Sequence, residues 1–300
     1  MYNKFHPWII SLRLQTLPLS LSAVLIGNAL AYWQHQFNFW ILLFSLITAS
    51  LLQILANLAN DYGDEIKGCD QNNLTAHTRG IQLGLITLKQ LKIALWINTF
   101  LCVSFGLSLL MLACNNIYEL FSFILLGLLS IIAAITYTIG KKPYGYIGFG
   151  DLSVLLFFGL IGVMGSYYLQ TKVLFLPIIL PALGCGLLSV AVLNINNLRD
   201  IEIDQNHNKR TLVVIMGKNM GRYYHLLLLL IAFCCLSLFA YNCLQTVWSG
   251  LFILILPLFI KHIYAVFQFN THKEAVPLLL QMVKFALLTN LLYCLGIILS

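Results

Sequence analysis

Long apolar stretches separated by short polar segments run along almost the whole chain. Nine of these stretches approach or exceed the ~20 residues that a helix needs to cross a bilayer. In lipid, backbone polar groups must be satisfied within the segment itself, so each stretch predicts a membrane-spanning α-helix. The pattern therefore predicts an all-α, polytopic membrane protein with a single domain over residues 1–300. The predicted spans are 15–33, 39–59, 90–112, 119–138, 149–168, 175–196, 223–242, 247–267 and 277–298.

Composition agrees with this class, because 60% of the residues are hydrophobic and only 9% are charged, against ~25% charged in soluble domains. The positive charges behind the net charge of +7 are distributed unevenly between the two sides of the membrane. With the N-terminus placed in the cytoplasm, sixteen of the 17 Lys and Arg residues fall at the inside ends and loops, and Lys172 alone falls outside. The charge therefore indicates membrane orientation rather than nucleic-acid binding. The expected location is a bacterial inner membrane, with the acidic segments described next facing the cytoplasm.

The most acidic stretch is NLANDYGDEIKGCD, which ends the second predicted span and holds four of the ten acidic residues. If it is helical, Asn57, Asp61 and Asp64 lie on one face at spacings of four and three. Clustered carboxylates repel one another and favour a bound cation. Hard oxygen ligands suit Mg²⁺, which usually shares a phosphate ligand.

A second stretch, NLRDIEID, ends the sixth predicted span and places Asn197, Asp200 and Asp204 at spacings of three and four. One such stretch alone is best interpreted as a polar loop with acids that end a helix. Two of them, each followed by basic residues, favour a site, because carboxylates at a membrane boundary are costly and usually functional. We expect metal ions to hold a diphosphate between the two stretches.

The loop before the fifth predicted span, YTIGKKPYGYIGFGD, leaves alternatives open. Lys141 and Lys142 either reach a phosphate or anchor the loop inside. Asp151 either caps the start of the span or lines the cavity. Further along the span, small residues share one face, which is typical of close helix packing. These are Gly159, Gly162 and Gly165.

Three segments together resemble the UbiA superfamily of intramembrane aromatic prenyltransferases. They are NDYGD with the following Lys67, Gly68 and Asp70, then NNLRDIEID with KRTL, and YT with GYIG and GD. RLQTLPLSLSAVLIG and LQILANLANDYGDEIKG are similar to the menaquinone branch of that superfamily. The resemblance covers about residues 8–298. Two positions depart from the branch: LTAHTRG lacks the usual Gly-Pro, and Asp151 replaces the usual Glu.

The resemblance implies nine helices around a central cavity open sideways to lipid. It implies transfer of a polyprenyl group from polyprenyl diphosphate to 1,4-dihydroxy-2-naphthoate, with loss of CO₂ and diphosphate, to give demethylmenaquinone. It implies that Mg²⁺ and the diphosphate are held by Asn57 or Asn60 with the catalytic acids Asp61, Asp64, Asp200 and Asp204. The candidates for the diphosphate oxygens are Lys67, Arg79, Lys141, Lys209 and Arg210, and those for the rest of the substrates are Asn197, Arg13, Lys142 and Asp151.

The chemistry of the residues also admits other functions. 4-Hydroxybenzoate or haem could replace the naphthoate as acceptor, since the physical argument requires only an electron-rich acceptor. A cation-coupled transporter would also use carboxylates within a membrane. Transporters usually break a span with Gly or Pro near its middle, whereas here the acids cluster at helix ends, so the enzyme is favoured.

Overall fold

The computed structural model describes residues 6–67, 80–81 and 83–300, and this part of the chain folds entirely as helices and loops, without a β-strand. Nine of its helices are long and apolar enough to cross a membrane, which confirms the predicted number and order. We call them the first to ninth spans. Their bounds are Pro7–Trp33, Phe39–Ile66, Leu88–Ala113, Ile117–Thr136, Gly150–Thr171, Leu176–Arg199, Lys218–Leu244, Trp248–Gln268 and His272–Ile298.

Local side-chain hydrogen bonds explain where several spans begin. Asn38 accepts from the backbone N–H groups of Trp40 and Ile41 at the start of the second span. Thr87 and Thr271 form capping boxes with residues three positions on, Gln90 and Glu274. These bonds satisfy N–H groups that a helix leaves without intrahelical partners.

The second span has 28 residues, which is ~42 Å of helix and longer than a bilayer's apolar core of ~30 Å. Its last turns therefore reach the membrane boundary, and they carry the first acidic stretch. The loop between the fourth and fifth spans and the end of the sixth span lie at the same end of the bundle, because the spans alternate in direction. We call this the motif end.

The first span is interrupted near the motif end. A short helix, His6–Leu12, ends at Arg13, whose backbone is left-handed (φ 47°), and one 3₁₀ turn leads into the helix Leu17–Trp33. The Asn57 side chain donates to the Leu12 carbonyl over 2.9 Å and so satisfies an acceptor that the short helix leaves open. The interruption places Arg13 beside the second span.

The sixth span is the centre of the bundle and the most buried of the nine. It packs against the fifth, seventh and ninth spans. A Cβ added to Gly159 on the fifth span would lie 2.7 Å from the Ala182 carbonyl oxygen and 3.0 Å from the Gly186 Cα. The predicted close packing at Gly159 is therefore confirmed, because only glycine allows these backbones to approach.

The fourth span lies at the edge of the bundle, and no residue of it is buried. It packs against the second and third spans. The fifth span beyond it is α-helical at both ends but π-helical from Leu155 to Gly165. π-helical segments are rare and often occur at functional sites.

Candidate active site

The first acidic stretch is helical through Ile66, so Asn57, Asp61 and Asp64 share one face as predicted. The side chain of Asp61 is fully buried, and its Oδ1 lies 2.6 Å from Arg13 Nη2. Arg13, one of the candidates for binding the substrates, therefore contacts an acid of the first acidic stretch. This ion pair joins the break in the first span to the first acidic stretch.

The two asparagines of this stretch differ in what their side chains contact. Asn57 donates to the Leu12 carbonyl and to Thr16, and its oxygen accepts from Gln53 over 3.3 Å. The buried Oδ1 of Asn60 has no hydrogen-bond partner among the described residues. Asn60 is therefore the better placed of the two to offer an oxygen to a ligand, whereas Asn57 holds the first span in place.

Asp64 accepts a hydrogen bond of 2.7 Å from the hydroxyl of Tyr146, a buried residue in the loop before the fifth span. Lys67 lies over the Tyr146 ring, with Nζ 4.1 Å from the centroid, and donates to the Thr138 carbonyl over 2.9 Å. Lys209 lies 5.5 Å from the same centroid. Tyr146 therefore brings together a carboxylate of the first stretch and two basic side chains, one from each half of the site.

The second acidic stretch departs from the expected continuous helical face. The sixth span ends at Arg199, Asp200 is non-helical (φ −97°, ψ 8°), and a new short helix runs from Ile201 to Asn206. Adjacent side chains on a continuous helix do not face each other. The break lets Arg199 bind both oxygens of Asp200, at 2.7 and 2.5 Å.

His272, at the start of the ninth span, lies 3.2 Å from Asp200 Oδ1. Burial raises the pKa of the Asp200 carboxyl, but hydrogen bonds from Arg199 and His272 outweigh it and hold the pKa well below its usual range. Asp200 is therefore a carboxylate that two basic side chains already contact. Neither Arg199 nor His272 was among the predicted site residues: Arg199 is adjacent to Asp200 in the sequence, whereas His272 is 72 residues away.

Asp204 and Lys209 form the other ion pair of this half, with Nζ 3.2 Å from Oδ1. The second oxygen, Oδ2, is buried and has no hydrogen-bond partner among the described residues. Burial raises the pKa of Asp204 to about 6, against the opposing effect of Lys209. The pKa of Lys209 is raised despite its burial, because Asp204, Asp64 and Asp200 all act on it. One lysine thus faces carboxylates of both stretches.

Within the described ranges, no three side chains of the His, Cys, Asp and Glu types converge closely enough to hold a metal ion by themselves. The carboxylates lie instead against Arg13, Tyr146, Arg199 and Lys209. Unpaired oxygens remain on Asn60 and Asp204. Such a donor set does not enclose a cation, but it fits one that takes further ligands from a phosphate.

The remaining predicted residues differ in burial and in the contacts that they make. Asp151 is buried and accepts a 3.0 Å hydrogen bond from Tyr224 of the seventh span. Its charge also acts on Tyr137, whose pKa burial raises to about 12. Asn197 is buried, whereas the side chains of Lys141, Lys142 and Arg210 are exposed. The Arg210 backbone N–H donates to the Tyr146 carbonyl over 2.9 Å, and Arg79 lies outside the described residues.

An apolar cavity of about 210 Å³ lies among the first to fifth spans, on the side away from the motif end. On the second span its lining ends at Leu52, nine residues before Asp61, which is ~13 Å along a helix. Polar groups that can face a diphosphate and an apolar volume that can accept a hydrocarbon are thus arranged along one helix.

The sequence matches the UbiA prenyltransferase family over residues 20–288. The chain belongs to the UbiA prenyltransferase family. This UbiA chain is 51% identical to the 1,4-dihydroxy-2-naphthoate octaprenyltransferase of Escherichia coli, over 99% of the chain and 97% of that protein. It is 46% identical to the Haemophilus influenzae protein of the same name, with the same coverage.

Solved structures support the UbiA fold. A UbiA homolog from Aeropyrum pernix K1 superposes with a TM-score of 0.70 at 16% identity, over 96% of this chain and 98% of that one. A UbiA homolog from Archaeoglobus fulgidus, whose structure contains DMAPP and Mg²⁺, superposes with a TM-score of 0.55 at 13% identity, over 93% and 98%. The expected all-α UbiA architecture is therefore confirmed.

Proposed function

We propose that this chain transfers a polyprenyl group from polyprenyl diphosphate to 1,4-dihydroxy-2-naphthoate, releasing diphosphate and CO₂, in menaquinone biosynthesis. The observation that carries the proposal is the 51% identity, over 99% of the chain, to an enzyme named for this transfer. The site agrees in chemistry, since carboxylates and basic side chains from both acidic stretches lie at the motif end, and an apolar cavity lies further along the second span.

The donor set is compatible with Mg²⁺, which prefers oxygen ligands and usually binds through one or two carboxylates plus substrate phosphates. The residues that would hold it are Asn60, Asp61, Asp64, Asp200 and Asp204, and the unpartnered oxygens of Asn60 and Asp204 support this assignment. When bound, the metal supplies positive charge to the diphosphate as it leaves. The side chain of Asn57 is hydrogen-bonded to Leu12, Thr16 and Gln53, so it holds the first span in place instead.

The basic side chains act on the same leaving group. Lys67 and Lys209 flank Tyr146 from the two acidic stretches, so a diphosphate bound between Asp64 and Asp204 lies within reach of both. Fixed positive charge that is strongest where negative charge develops lowers the barrier to breaking the allylic C–O bond. Lys141 and Arg210 add positive charge at the motif end and so help to attract the donor, and Arg79 stays a candidate from the sequence alone.

The acceptor reaction follows from the ring's chemistry. As the C–O bond breaks, the electron pair leaves with diphosphate, and the ring carbon bearing the carboxylate bonds to the allylic carbon. The bond to the carboxylate then breaks, CO₂ leaves, and its electron pair restores the aromatic ring. The product is a prenylated naphthoquinol, which is demethylmenaquinone after oxidation. The apolar cavity excludes water that would capture the allylic cation.

The proposed setting is a bacterial inner membrane with the motif end in the cytoplasm. The excess of Lys and Arg on the loops at that end supports this orientation. Water-soluble naphthoate and the diphosphate group then reach the site from the cytoplasm, while the donor's hydrocarbon stays in the bilayer.

The test is a transfer assay with purified protein in lipid, using naphthoate labelled at its carboxyl carbon. We expect labelled CO₂ to be released in step with diphosphate. Efficient prenylation of 4-hydroxybenzoate with its carboxyl retained would instead assign the ubiquinone type of acceptor. Transmembrane flux of the donor without a prenylated product would indicate a transporter and contradict the proposal.

A further inference from the structure

The guanidinium of Arg199 is held by three hydrogen bonds at the end of the sixth span. Its Nε donates to Asp200 Oδ1 over 2.7 Å, and its Nη2 donates to Asp200 Oδ2 over 2.5 Å. Nη2 also donates to Asn196 Oδ1 over 2.9 Å, three residues earlier on the same helix. The plane of the guanidinium is therefore fixed by the residue that follows it and by a side chain of its own span.

The third nitrogen of the guanidinium, Nη1, is left for another partner. An arginine has five N–H groups, and the bonds to Asp200 and Asn196 use three of them. Within the described ranges Nη1 has no hydrogen-bond partner, and the Arg199 side chain is 19% exposed. Two N–H groups thus remain available to a ligand, on a side chain that cannot turn away without breaking its other bonds.

Asp200 connects Arg199 with the other charges of the site. The charges of Asp200 and Lys209 act on each other. Lys209 lies over the ring of Tyr146, whose hydroxyl binds Asp64. Arg199 therefore adjoins the group of charges between which the diphosphate is proposed to bind.

Holding Arg199 does not use up the acceptor capacity of Asp200. A carboxylate has about four lone-pair positions. Arg199 takes two of them, and His272 Nε2, 3.2 Å from Oδ1, takes a third. The fourth position, on Oδ2, remains for the metal ion that Asp200 is proposed to hold. The contacts of Arg199 are therefore compatible with that assignment, and they keep the arginine close to any phosphate that shares the ion.

The proposed reaction offers two anions to Arg199, and their charges change in opposite directions. The diphosphate gains negative charge as the allylic C–O bond breaks, whereas the acceptor carboxylate loses its charge as CO₂ leaves. Fixed positive charge speeds a step when it lies where negative charge develops. The same charge on the carboxylate would stabilise the starting state and slow the loss of CO₂. The chemistry therefore favours the diphosphate as the partner.

A planar guanidinium also matches the geometry of phosphate oxygens. We propose that Arg199 is a catalytic residue, which donates from Nη1 to an oxygen of the donor's diphosphate, and that Asp200 and Asn196 position it. This inference rests on the proposed prenyl transfer and adds to it a residue of the leaving-group site.

The test separates binding of the leaving group from binding of the acceptor. The probe is inorganic diphosphate with saturating Mg²⁺. For Arg199→Gln we expect its Kd to rise at least ~10-fold and kcat for transfer to fall ~100-fold, while KM for the naphthoate changes less than ~2-fold. Arg199→Lys keeps the charge but loses the planar fork, so we expect kcat to fall at least ~10-fold.

The control is Lys273→Gln, which removes one positive charge from an exposed residue at the same end of the bundle. It should keep the wild-type Kd, KM and kcat. Repeating the Arg199→Gln measurements at higher Mg²⁺ distinguishes a merely structural role. A weakened hold on Asp200 alone would be overcome by more metal, whereas a missing phosphate contact would not.

Three results would overturn the proposal. They are recovery of Arg199→Gln at high Mg²⁺, an unchanged Kd for diphosphate, and a Kd at the wild-type level combined with a large rise in KM for the naphthoate. The last result would assign Arg199 to the acceptor carboxylate. If the wild-type protein binds diphosphate but does not prenylate the naphthoate, the proposed function fails, and the binding result for Arg199 still stands.

A second measurement uses only the wild-type protein. Phenylglyoxal modifies accessible arginines, and the modified peptides are mapped by mass spectrometry. We expect Arg199 to react, and to be protected by Mg²⁺ with inorganic diphosphate but not by the naphthoate. Arg222, which donates to the Phe269 carbonyl at the start of the seventh span, should react equally with and without diphosphate. An Arg199 that is unreactive throughout, or that diphosphate does not protect, would contradict the proposal.

Discussion

The hydroxyl of Tyr146 donates to Asp64 Oδ1 over 2.7 Å. The same residue's carbonyl accepts from the backbone N–H of Arg210, which follows the second acidic stretch. Tyr146 thus fixes the loop before the fifth span to both halves of the site. Lys67 and Lys209 both lie over its ring. Because its hydroxyl is bound to Asp64, we expect Tyr146 to position this carboxylate without touching the reacting atoms.

Tyr146→Phe keeps the ring beneath Lys67 and Lys209 but removes the hydrogen bond to Asp64. A hydrogen bond to a charged group contributes ~1.5–3 kcal/mol, so we expect kcat/KM for the donor to fall about 10-fold or more. The Mg²⁺ concentration for half-maximal activity should rise, which a purely structural role would not cause. Tyr223→Phe, on an exposed residue, serves as control. Wild-type Mg²⁺ dependence in Tyr146→Phe would contradict the assignment.

Arg13→Gln leaves the fully buried Asp61 carboxylate without its guanidinium partner. Removing one member of a buried ion pair typically costs ~3–5 kcal/mol, because the other charge stays buried. We expect a lower Tm and weak activity. In the double variant with Asp61→Asn, stability should largely return, but transfer should be absent because Asp61 is also changed. Thermal unfolding and product formation are measured for the wild type, the two single variants and the double variant. If the losses of stability in the single variants add up to the loss in the double variant, the two residues are not coupled.

Chelation tests the metal assignment. We expect EDTA to abolish transfer and added Mg²⁺ to restore it, because the basic side chains alone supply too little positive charge to the leaving diphosphate. Asp61→Asn and Asp200→Asn should also abolish transfer while the proteins remain in the membrane. Activity near the untreated level in EDTA, without added metal, would refute the role of Mg²⁺.

Alanine substitutions at two glycines should distinguish a packed helix face from an open one. Gly159→Ala places a Cβ 2.7 Å from the Ala182 carbonyl oxygen, and overpacking of this kind costs ~1–3 kcal/mol. Gly127→Ala meets open space and replaces glycine in a helix, so we expect unchanged or slightly raised stability. Thermal melting in detergent measures both, and equal melting temperatures would contradict the contrast.

The proposed orientation predicts on which side of the membrane Ser300 lies. Nine spans that start in the cytoplasm place Ser300 on the periplasmic side. A reporter fused after Ser300 should therefore give a periplasmic signal, and one inserted after Lys142 a cytoplasmic signal. A cytoplasmic signal from the first fusion would mean an even number of crossings.

The spans could be predicted from sequence because each is a continuous apolar run, a property of local composition alone. The shared face of Asn57, Asp61 and Asp64 was equally local, since it depends only on helical spacing. The two acidic stretches could be placed on the same side of the membrane because the number of spans between them is even. The precise ends of the spans could not be predicted, because helix ends depend on caps and on contacts with other spans.

The contacts of the carboxylates depended on tertiary packing. Arg13 is 48 residues from Asp61, and Tyr146 is 82 residues from Asp64, so no local pattern relates them. The helix break at Asp200, where the carboxylate contacts Arg199 and His272, was also not visible in the spacing, which is compatible with a continuous face. The tyrosines of the loop before the fifth span were a visible signal, but the sequence did not reveal which one faces an acid.

The polar motif end and the apolar cavity lie along the same helices, so the two sets of products are released into different phases. Diphosphate and CO₂ leave into water, where both are diluted and consumed, while the prenylated ring dissolves in lipid. Reversal would require all three to meet again at one boundary point. Separating the products into two phases therefore opposes reversal, in addition to the free energy released when CO₂ and diphosphate leave.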